Sequence, residues 1–299
     1  MKDKVAILLA TYNGGAYLEE QLMSIVAQTH KEWHLFVRDD GSTDDTVNIL
    51  ELYRSKYENI TIIDNVGEFT GSAAGNFFKL LHCSDFSDFT HVSFSDQDDV
   101  WGPGKLQSAL SRLQLERGGA YSSNLISYDN SKKRASYIVK SQPQTQYDYL
   151  FQGASAGCTY VMTRDVCLLV QSLTSEIESF KGRSHDWLIY SICRVNNVPW
   201  VFDDEAHIFY RQHATNVYGS MSTLSGILNK LKILRSGWYR DNIIWVAEKS
   251  GSNVKDAIVF ERIKRNRLID KFFLLKQTSR FRREKKESRM LGFILLFLF

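Results

Sequence analysis

Residues 5–15 read VAILLATYNGG. Six apolar residues in a row, Val5 to Ala10, lack the alternation of a half-exposed strand and read as a strand buried on both faces of a parallel sheet. Thr11-Tyr12-Asn13-Gly14-Gly15 then turns the chain. Ala16 to Gln28 reads as a helix with Leu18, Leu22, Ile25 and Val26 on one side. The same unit recurs. His34 to Arg38 is a second strand stopped by Asp39-Asp40-Gly41-Ser42, and a helix capped near Ser42 to Asp44 runs to Tyr53. Ile60 to Ile63 is a third strand, Gly75 to Leu81 lies in a helix, and His91 to Ser95 is a fourth strand ending in Asp96-Gln97-Asp98-Asp99. This rhythm predicts an α/β fold, a single Rossmann-like domain with a mostly parallel central sheet and its chemistry beyond the strand ends. Residues 1–118 form its first half and 119–218, where the rhythm turns irregular, its second; a helical tail follows over 219–299.

The chain has 299 residues, 43% hydrophobic and 24% charged, enough to bury a sizeable core and unlike a disordered or fibrous chain. Cys83, Cys158, Cys167 and Cys193 form no CxxC pair and no disulfide framework, and read as buried apolar groups of a reducing compartment. The apolar run at the N-terminus is too short for a signal peptide, so export is not expected. Net charge is only +3, but residues 262–289 hold 12 Lys or Arg against Asp270, Glu284 and Glu287. That local +9 leaves the rest of the chain at −6 and implies an anionic surface as partner.

Five acids stand where strands stop: Asp39 and Asp40 after one, Asp96, Asp98 and Asp99 after another. Burying so many carboxylates together is costly unless a cation or hydrogen-bond donors compensate them. Oxygen ligands of this kind suit Mg²⁺ or Mn²⁺, and such an ion neutralises a diphosphate leaving group. Asp44 and Asp45 read instead as helix caps. Neither a Walker pattern nor GxGxxG after the first strand is present, which argues against an ATPase and a dinucleotide enzyme.

Ala10-Thr11-Tyr12-Asn13-Gly14, Asp39 to Thr46 (DDGSTDDT) and Ser95 to Trp101 (SDQDDVW), in that order, resemble the family 2 glycosyltransferases. The last motif and His185-Asp186-Trp187 look like the bacterial rhamnosyltransferase-type members that build O-antigen or capsule. The resemblance covers residues 4–218 and implies a metal-dependent hexosyltransferase of GT-A type. It places the nucleotide against Ala10, Thr11, Tyr12 and Asp40, with Asn76 in the GSAAGN stretch and Gln97 close by. Asp98 becomes the direct metal ligand, Asp96 faces ribose or metal, and Asp99 orients from behind. Asp186 maps to the general base, and His185 either orients it or is structural. Arg211 and His213 lie where a loop covers the donor diphosphate, His213 reaching phosphate or metal. Trp101 and Trp187 stack on sugar or belong to the core.

The reaction so implied is single displacement with inversion, from a nucleotide-diphosphate sugar (dTDP-rhamnose leading) to a glycan acceptor carried on a polyprenyl-diphosphate lipid. The tail mixes cations with Leu268, Ile269, Phe272 and Phe273 and ends in LGFILLFLF. Nine helical residues span about 13 Å, far short of the roughly 30 Å of bilayer hydrocarbon. The tail therefore reads as an interfacial anchor on an anionic membrane surface, or as a packing or homo-oligomer surface. The expected location is the cytoplasmic face of the bacterial inner membrane, peripheral, or the cytoplasm. Competing readings are a nucleotidyltransferase, which calls for a basic glycine-rich loop after the first strand, a non-catalytic glycan-assembly protein, and a nucleic-acid-binding module. No compact nucleic-acid-binding motif is present, so no nucleic acid partner is expected.

Overall fold

A computed structural model describes residues 3–65, 67–129, 133–175, 180–212 and 237–297. In chain order these form β1 (Val5–Thr11), α1 (Leu18–Val26), β2 (Trp33–Asp39), α2 (Thr46–Lys56), β3 (Ile60–Ile62), α3 (Ala73–Cys83), β4 (His91–Ser95), β5 (Val100–Trp101), α4 (Lys105–Glu116), β6 (Ala120–Asp129), β7 (Arg134–Ile138), α5 (Asp148–Phe151), β8 (Val161–Thr163), α6 (Arg164–Thr174), α7 (His185–Val195) and β9 (Trp200–Gln212). Helices α8 (Trp238–Ser250), α9 (Ser252–Lys255), α10 (Ala257–Arg265), α11 (Leu268–Leu275) and α12 (Lys285–Phe297) follow. Two compact units result: Met1–Ser141 with Ser155–Asp186 and Val198–Arg211, and Gln142–Ala154 with Trp187–Asn197 and Gln212–Phe299.

In the first unit every residue of β1 is buried, as its unbroken apolar run requires. Each of its large aliphatic side chains is worth about 1.5–3 kcal/mol of burial. β1 lies between β2 and β4, both parallel to it. Helices α1, α2 and α3 supply the crossovers that parallel neighbours need. Leu18, Leu22 and Ile25 of α1 join Val5, Ile7 and Leu9 in one core cluster.

The sheet is not mostly parallel; it is mixed. Its order is β3-β2-β1-β4-β8-β6-β9-β5, with β7 on β6, and only the first four strands run parallel. β8 is antiparallel to both β4 and β6. β6 therefore runs in the same direction as β4, as a crossover through α4 demands, but one place out. The short β8 fills the gap in the opposite sense. A short apolar run such as Val161-Met162 carries no sign of strand direction, which is why the pattern of residues did not announce it.

The second unit is helical, organised on a fully buried Asp148. Tyr190 Oη donates to Asp148 Oδ2 at 2.7 Å, Arg194 pairs with Oδ1, and Arg283 Nε lies 3.5 Å from Oδ2. Phe281 stacks on Phe151 at 4.2 Å between centroids. In α12, Leu291, Ile294 and Leu295 are buried, and a Cβ on Gly292 would meet Leu275 Cδ1 at 2.9 Å. The apolar end of the tail therefore packs against protein along one face. Leu268, Ile269 and Phe272 of α11 are exposed. No helix among the described residues is long and apolar enough to cross a membrane.

Candidate active site

The register of three strands fixes the site. Thr11 lies opposite Asp39, and Leu9 opposite Ser95, so the carboxyl ends of β2, β1 and β4 open side by side. That brings Asp40, the Thr11–Tyr12 turn and Asp96 to one edge, as a parallel sheet must.

The two acids after β2 have different tasks. Asp39 organises the turn: Oδ1 accepts from Thr11 Oγ1 (2.9 Å) and Ser42 Oγ (2.6 Å), and Oδ2 accepts from the Gly41 and Ser42 amides (3.0 and 2.7 Å). Asp40 is 6% exposed and pairs with the buried Arg38 at 3.1 Å. It also accepts from the Thr70 amide (2.7 Å), Thr70 Oγ1 (2.9 Å) and the Gly71 amide (2.8 Å), which pins the loop before α3 over the strand ends. Asn76 is buried and ties the same corner together. Its Nδ2 donates to the carbonyls of Thr11 (3.2 Å) and Arg38 (2.9 Å), and its Oδ1 accepts from Arg38 (2.8 Å). Asp44 accepts from the Gly15 and Thr46 amides and joins the β1 turn to the start of α2. Ala10 and Thr11 are buried, whereas the Tyr12 ring is 57% exposed.

Gln97 clamps the β1 and β4 ends to each other. Its Oε1 accepts from the Tyr12 amide (2.8 Å), and its Nε2 donates to the Tyr12 carbonyl (2.9 Å). A Cβ on Gly14 would sit 2.3 Å from Gln97 Oε1, so a side chain there would displace the Gln97 amide from these bonds. The amide is thus spent on backbone, and the two peptide units flanking Tyr12 are each held by one hydrogen bond.

Beyond β4, Asp96 and Asp98 are half-buried and Asp99 is fully buried. Burial, then the carboxylates of Asp98 and Asp186, push Asp96 up to about 7. Burial, then Asp96 and Asp98, hold Asp99 well above the usual carboxylate range. Ligand atoms of Asp96, Asp99 and Cys158 lie within 4.8 Å of one another. Asp99 Oδ1 accepts from the Arg211 amide at 3.3 Å, while its buried Oδ2 has no hydrogen-bond partner. Mutually repelling acids plus an orphaned buried oxygen are what a divalent cation relieves, so the residues present fit one. Lys105, 1% exposed, stands nearby; burial lowers its ammonium to about 7, Cys158 and Asp99 oppose that, and its Nζ donates to Ser93 Oγ at 2.8 Å.

Asp186 opens α7, and its influence on Asp96 places the two carboxylates in one field. Ser184 Oγ donates to its Oδ1, and its main-chain carbonyl accepts from Tyr160 Oη at 3.3 Å. His185 is wedged beside it, with ring centroids 4.3 Å from Phe77 and 5.8 Å from Phe94. Its buried Nε2 has no hydrogen-bond partner, and burial lowers the imidazole below its ordinary value while the Asp186 carboxylate opposes that. A Cβ on Gly157 would stand 2.3 Å from that Nε2, so glycine is required at 157.

Arg211, at the end of β9, is 6% exposed. Its Nε donates to the Asp98 carbonyl (3.0 Å), a terminal nitrogen pairs with Glu20, and the guanidinium lies 4.8 Å from the Tyr17 ring centroid. It straps the acidic loop to α1. His213 lies outside the described residues. Trp101 and Trp187 are 3% and 5% exposed and belong to the core. Reasoning from residues alone passed over Cys158, Gly157 and Lys105. A Gly-Cys pair obeys no ligand spacing rule, and one lysine at a helix start reads as surface.

Carboxylates fanned around the ends of parallel strands, with a cluster among them able to hold a cation, suit the binding of a nucleotide-activated group. Residues 6–164 match glycosyl transferase family 2, and the chain belongs to that family. It is similar to the dTDP-rhamnosyl transferase RfbG of Shigella flexneri, with 35% identity over 242 residues, 80% of this chain and 83% of that protein. Similarity to the Escherichia coli UDP-Glc:alpha-D-GlcNAc-diphosphoundecaprenol beta-1,3-glucosyltransferase WfgD is 26% over 235 residues, 78% and 83% of the two chains. Among solved structures, the fold is like that of the mannosyltransferase PcManGT from Pyrobaculum calidifontis in complex with GDP-Man and Mn²⁺. The TM-score is 0.54 at 13% identity, covering 100% of this chain and 85% of that one. The protein is a nucleotide-sugar-dependent glycosyltransferase acting on a glycan acceptor, related to bacterial polysaccharide-building transferases, and its Asp96, Asp99 and Cys158 form a cluster able to hold a metal ion.

Proposed function

We propose that the protein transfers rhamnose from dTDP-rhamnose, with inversion, to a hydroxyl of a bacterial surface glycan carried on a polyprenyl diphosphate. The 35% identity to a dTDP-rhamnosyl transferase over 80% of the chain favours this donor, and the undecaprenol-linked acceptor named for WfgD favours the lipid carrier. The observation that carries the chemistry is the shared field of Asp96, Asp98 and Asp186.

Asp186 takes the proton of the acceptor hydroxyl as its oxygen attacks the anomeric carbon from the face opposite the diphosphate. The sugar–phosphate bond breaks, its electron pair leaves with the nucleotide diphosphate, and configuration inverts. His185, packed against the Phe77 and Phe94 rings, holds the base in place. Asp96 and Asp98 would hold Mg²⁺ or Mn²⁺, and such an ion would supply positive charge against the departing diphosphate. The Tyr12 ring and the Thr70–Gly71 loop held by Asp40 border the nucleotide, and Arg211 braces the acidic loop. Residues 1–118 bind the donor, 119–218 the acceptor, and 219–299 attach the protein to the cytoplasmic face of the inner membrane. That attachment runs through the exposed Leu268, Ile269 and Phe272 and the exposed cations Arg265, Arg267 and Lys276.

A panel of dTDP-rhamnose, UDP-glucose, UDP-N-acetylglucosamine and GDP-mannose, each with Mn²⁺ or Mg²⁺, tests the donor by thermal unfolding. A ligand at one hundred times its Kd stabilises by about 2.7 kcal/mol. Protection by another sugar nucleotide alone refutes rhamnose, and a product of retained anomeric configuration refutes single displacement.

A further inference from the structure

Cys158 sits in the short turn Gly157–Thr159 and is fully buried. Unlike Cys167 and Cys193, it belongs to the convergent group in which Asp96, Asp99 and its own Sγ lie within 4.8 Å of one another. One oxygen of Asp99 is taken by the Arg211 amide; the other is buried and has no hydrogen-bond partner. A buried oxygen left in that state costs about 1–3 kcal/mol, so an occupant that satisfies it is favoured. Around it stand two carboxylates and one sulfur, each able to give an anionic lone pair. Lys105 is nearby, donating one of its three N–H groups to Ser93 Oγ with Nζ 3.5 Å from the centroid of the Trp101 ring.

We propose that Cys158 is a further protein ligand of the divalent cation, adding with Asp99 one thiolate and one carboxylate to the pair formed by Asp96 and Asp98. The inference rests on the reading of this cluster as a metal centre. Ligation breaks the Cys158 S–H bond heterolytically: both electrons stay on sulfur and form the metal–sulfur bond, the proton passes to solvent, and no redox change occurs. Sulfur is a soft donor that Mg²⁺ avoids, so the site prefers Mn²⁺ and accepts the thiophilic Co²⁺ and Cd²⁺ ahead of Mg²⁺.

The test uses the full-length protein carrying Cys83→Ser, which removes an exposed thiol at the end of α3. It is titrated with Co²⁺ in the presence of dTDP. The expected result is a near-ultraviolet sulfur-to-cobalt charge-transfer band that saturates at one equivalent. The added Cys158→Ser change abolishes the band and weakens Co²⁺ binding more than about tenfold, since loss of even an outer partner of a metal costs that much. Calorimetric Co²⁺ binding without the band overturns the sulfur ligand and leaves the metal centre standing. Failure to bind either Co²⁺ or Mn²⁺ overturns both. If Cys158→Ser does not fold, presence or absence of the band in the Cys83→Ser protein decides by itself.

Discussion

Gly157→Ala is the sharpest probe of how the base is held. The new methyl carbon would stand 2.3 Å from His185 Nε2 and 3.3 Å from the Asp186 Cβ. The first distance is about 1 Å short of ordinary van der Waals contact. His185 has little room to retreat, because Phe77 and Phe94 press on its ring. The imidazole and the start of α7 therefore move by about 1 Å and carry Asp186 with them. Misplacing a reacting group by that amount costs about a hundredfold in rate, and overpacking costs roughly 1–3 kcal/mol of stability. Steady-state kinetics should show kcat reduced about a hundredfold with the donor KM little changed, and circular dichroism an intact fold with a lower Tm. Adding His185→Ala to Gly157→Ala removes the colliding ring and should recover Tm, a non-additivity that a double-mutant cycle measures, while kcat stays low because the ring that holds the base is gone. If Gly157→Ala keeps kcat within threefold, or if the double variant regains wild-type kcat without the His185 ring, the wedge is not what positions Asp186.

Other expectations follow from the same geometry. Asp186→Asn should lower kcat by about 10²–10⁴-fold without loss of donor binding, checked by single-turnover kinetics. Gln97→Ala removes two hydrogen bonds to the Tyr12 peptide, worth about 1–3 kcal/mol together, and should raise the donor KM more than it lowers kcat. At Asp203, burial alone would raise the carboxyl. Hydrogen bonds from His207, the Glu205 amide and Tyr121 outweigh it and hold the group well below the usual range. A depressed folded pKa means stability present above the unfolded value near 3.9 and lost as pH falls below it. Asp203→Asn should therefore destabilise at pH 7, with the gap to wild type narrowing on acidification in urea melts. Leu268→Ser, Ile269→Ser and Phe272→Ser together should release the protein from anionic vesicles in flotation while Tm is kept; continued flotation would remove α11 from the membrane contact.

The first four strands were legible because each is an apolar run closed by turn-forming residues, and both spacing and burial obey one period. The place of Asp96 and Asp98 at the end of β4 was legible for the same reason, since both directly follow the apolar run of that strand. The antiparallel return was not, because Val161-Met162-Thr163 is too short to carry direction. Asp39 and Asp40 are chemically identical in the sequence, and only the fold separates the turn-maker from the loop anchor. Asn76 and Arg211 were expected near the donor; their positions border the strand ends, but their side chains are engaged with the protein's own backbone and with Glu20. Cys158 was invisible because its partners come from a segment some sixty residues upstream, which no local pattern connects.

Asp148 carries a last lesson. Its fully buried charge is answered by Arg194 and by Arg283, the second from far down the chain. Trimming the protein back to the stretch that matches its family would strand an acid in apolar surroundings, a fault that typically costs about 3–5 kcal/mol. The final forty residues thus act as a folding clause written into residue 148. A shortened protein that fails to bind vesicles would report on a broken helix bundle rather than on a lost anchor, and surface substitutions are the way to tell the two apart.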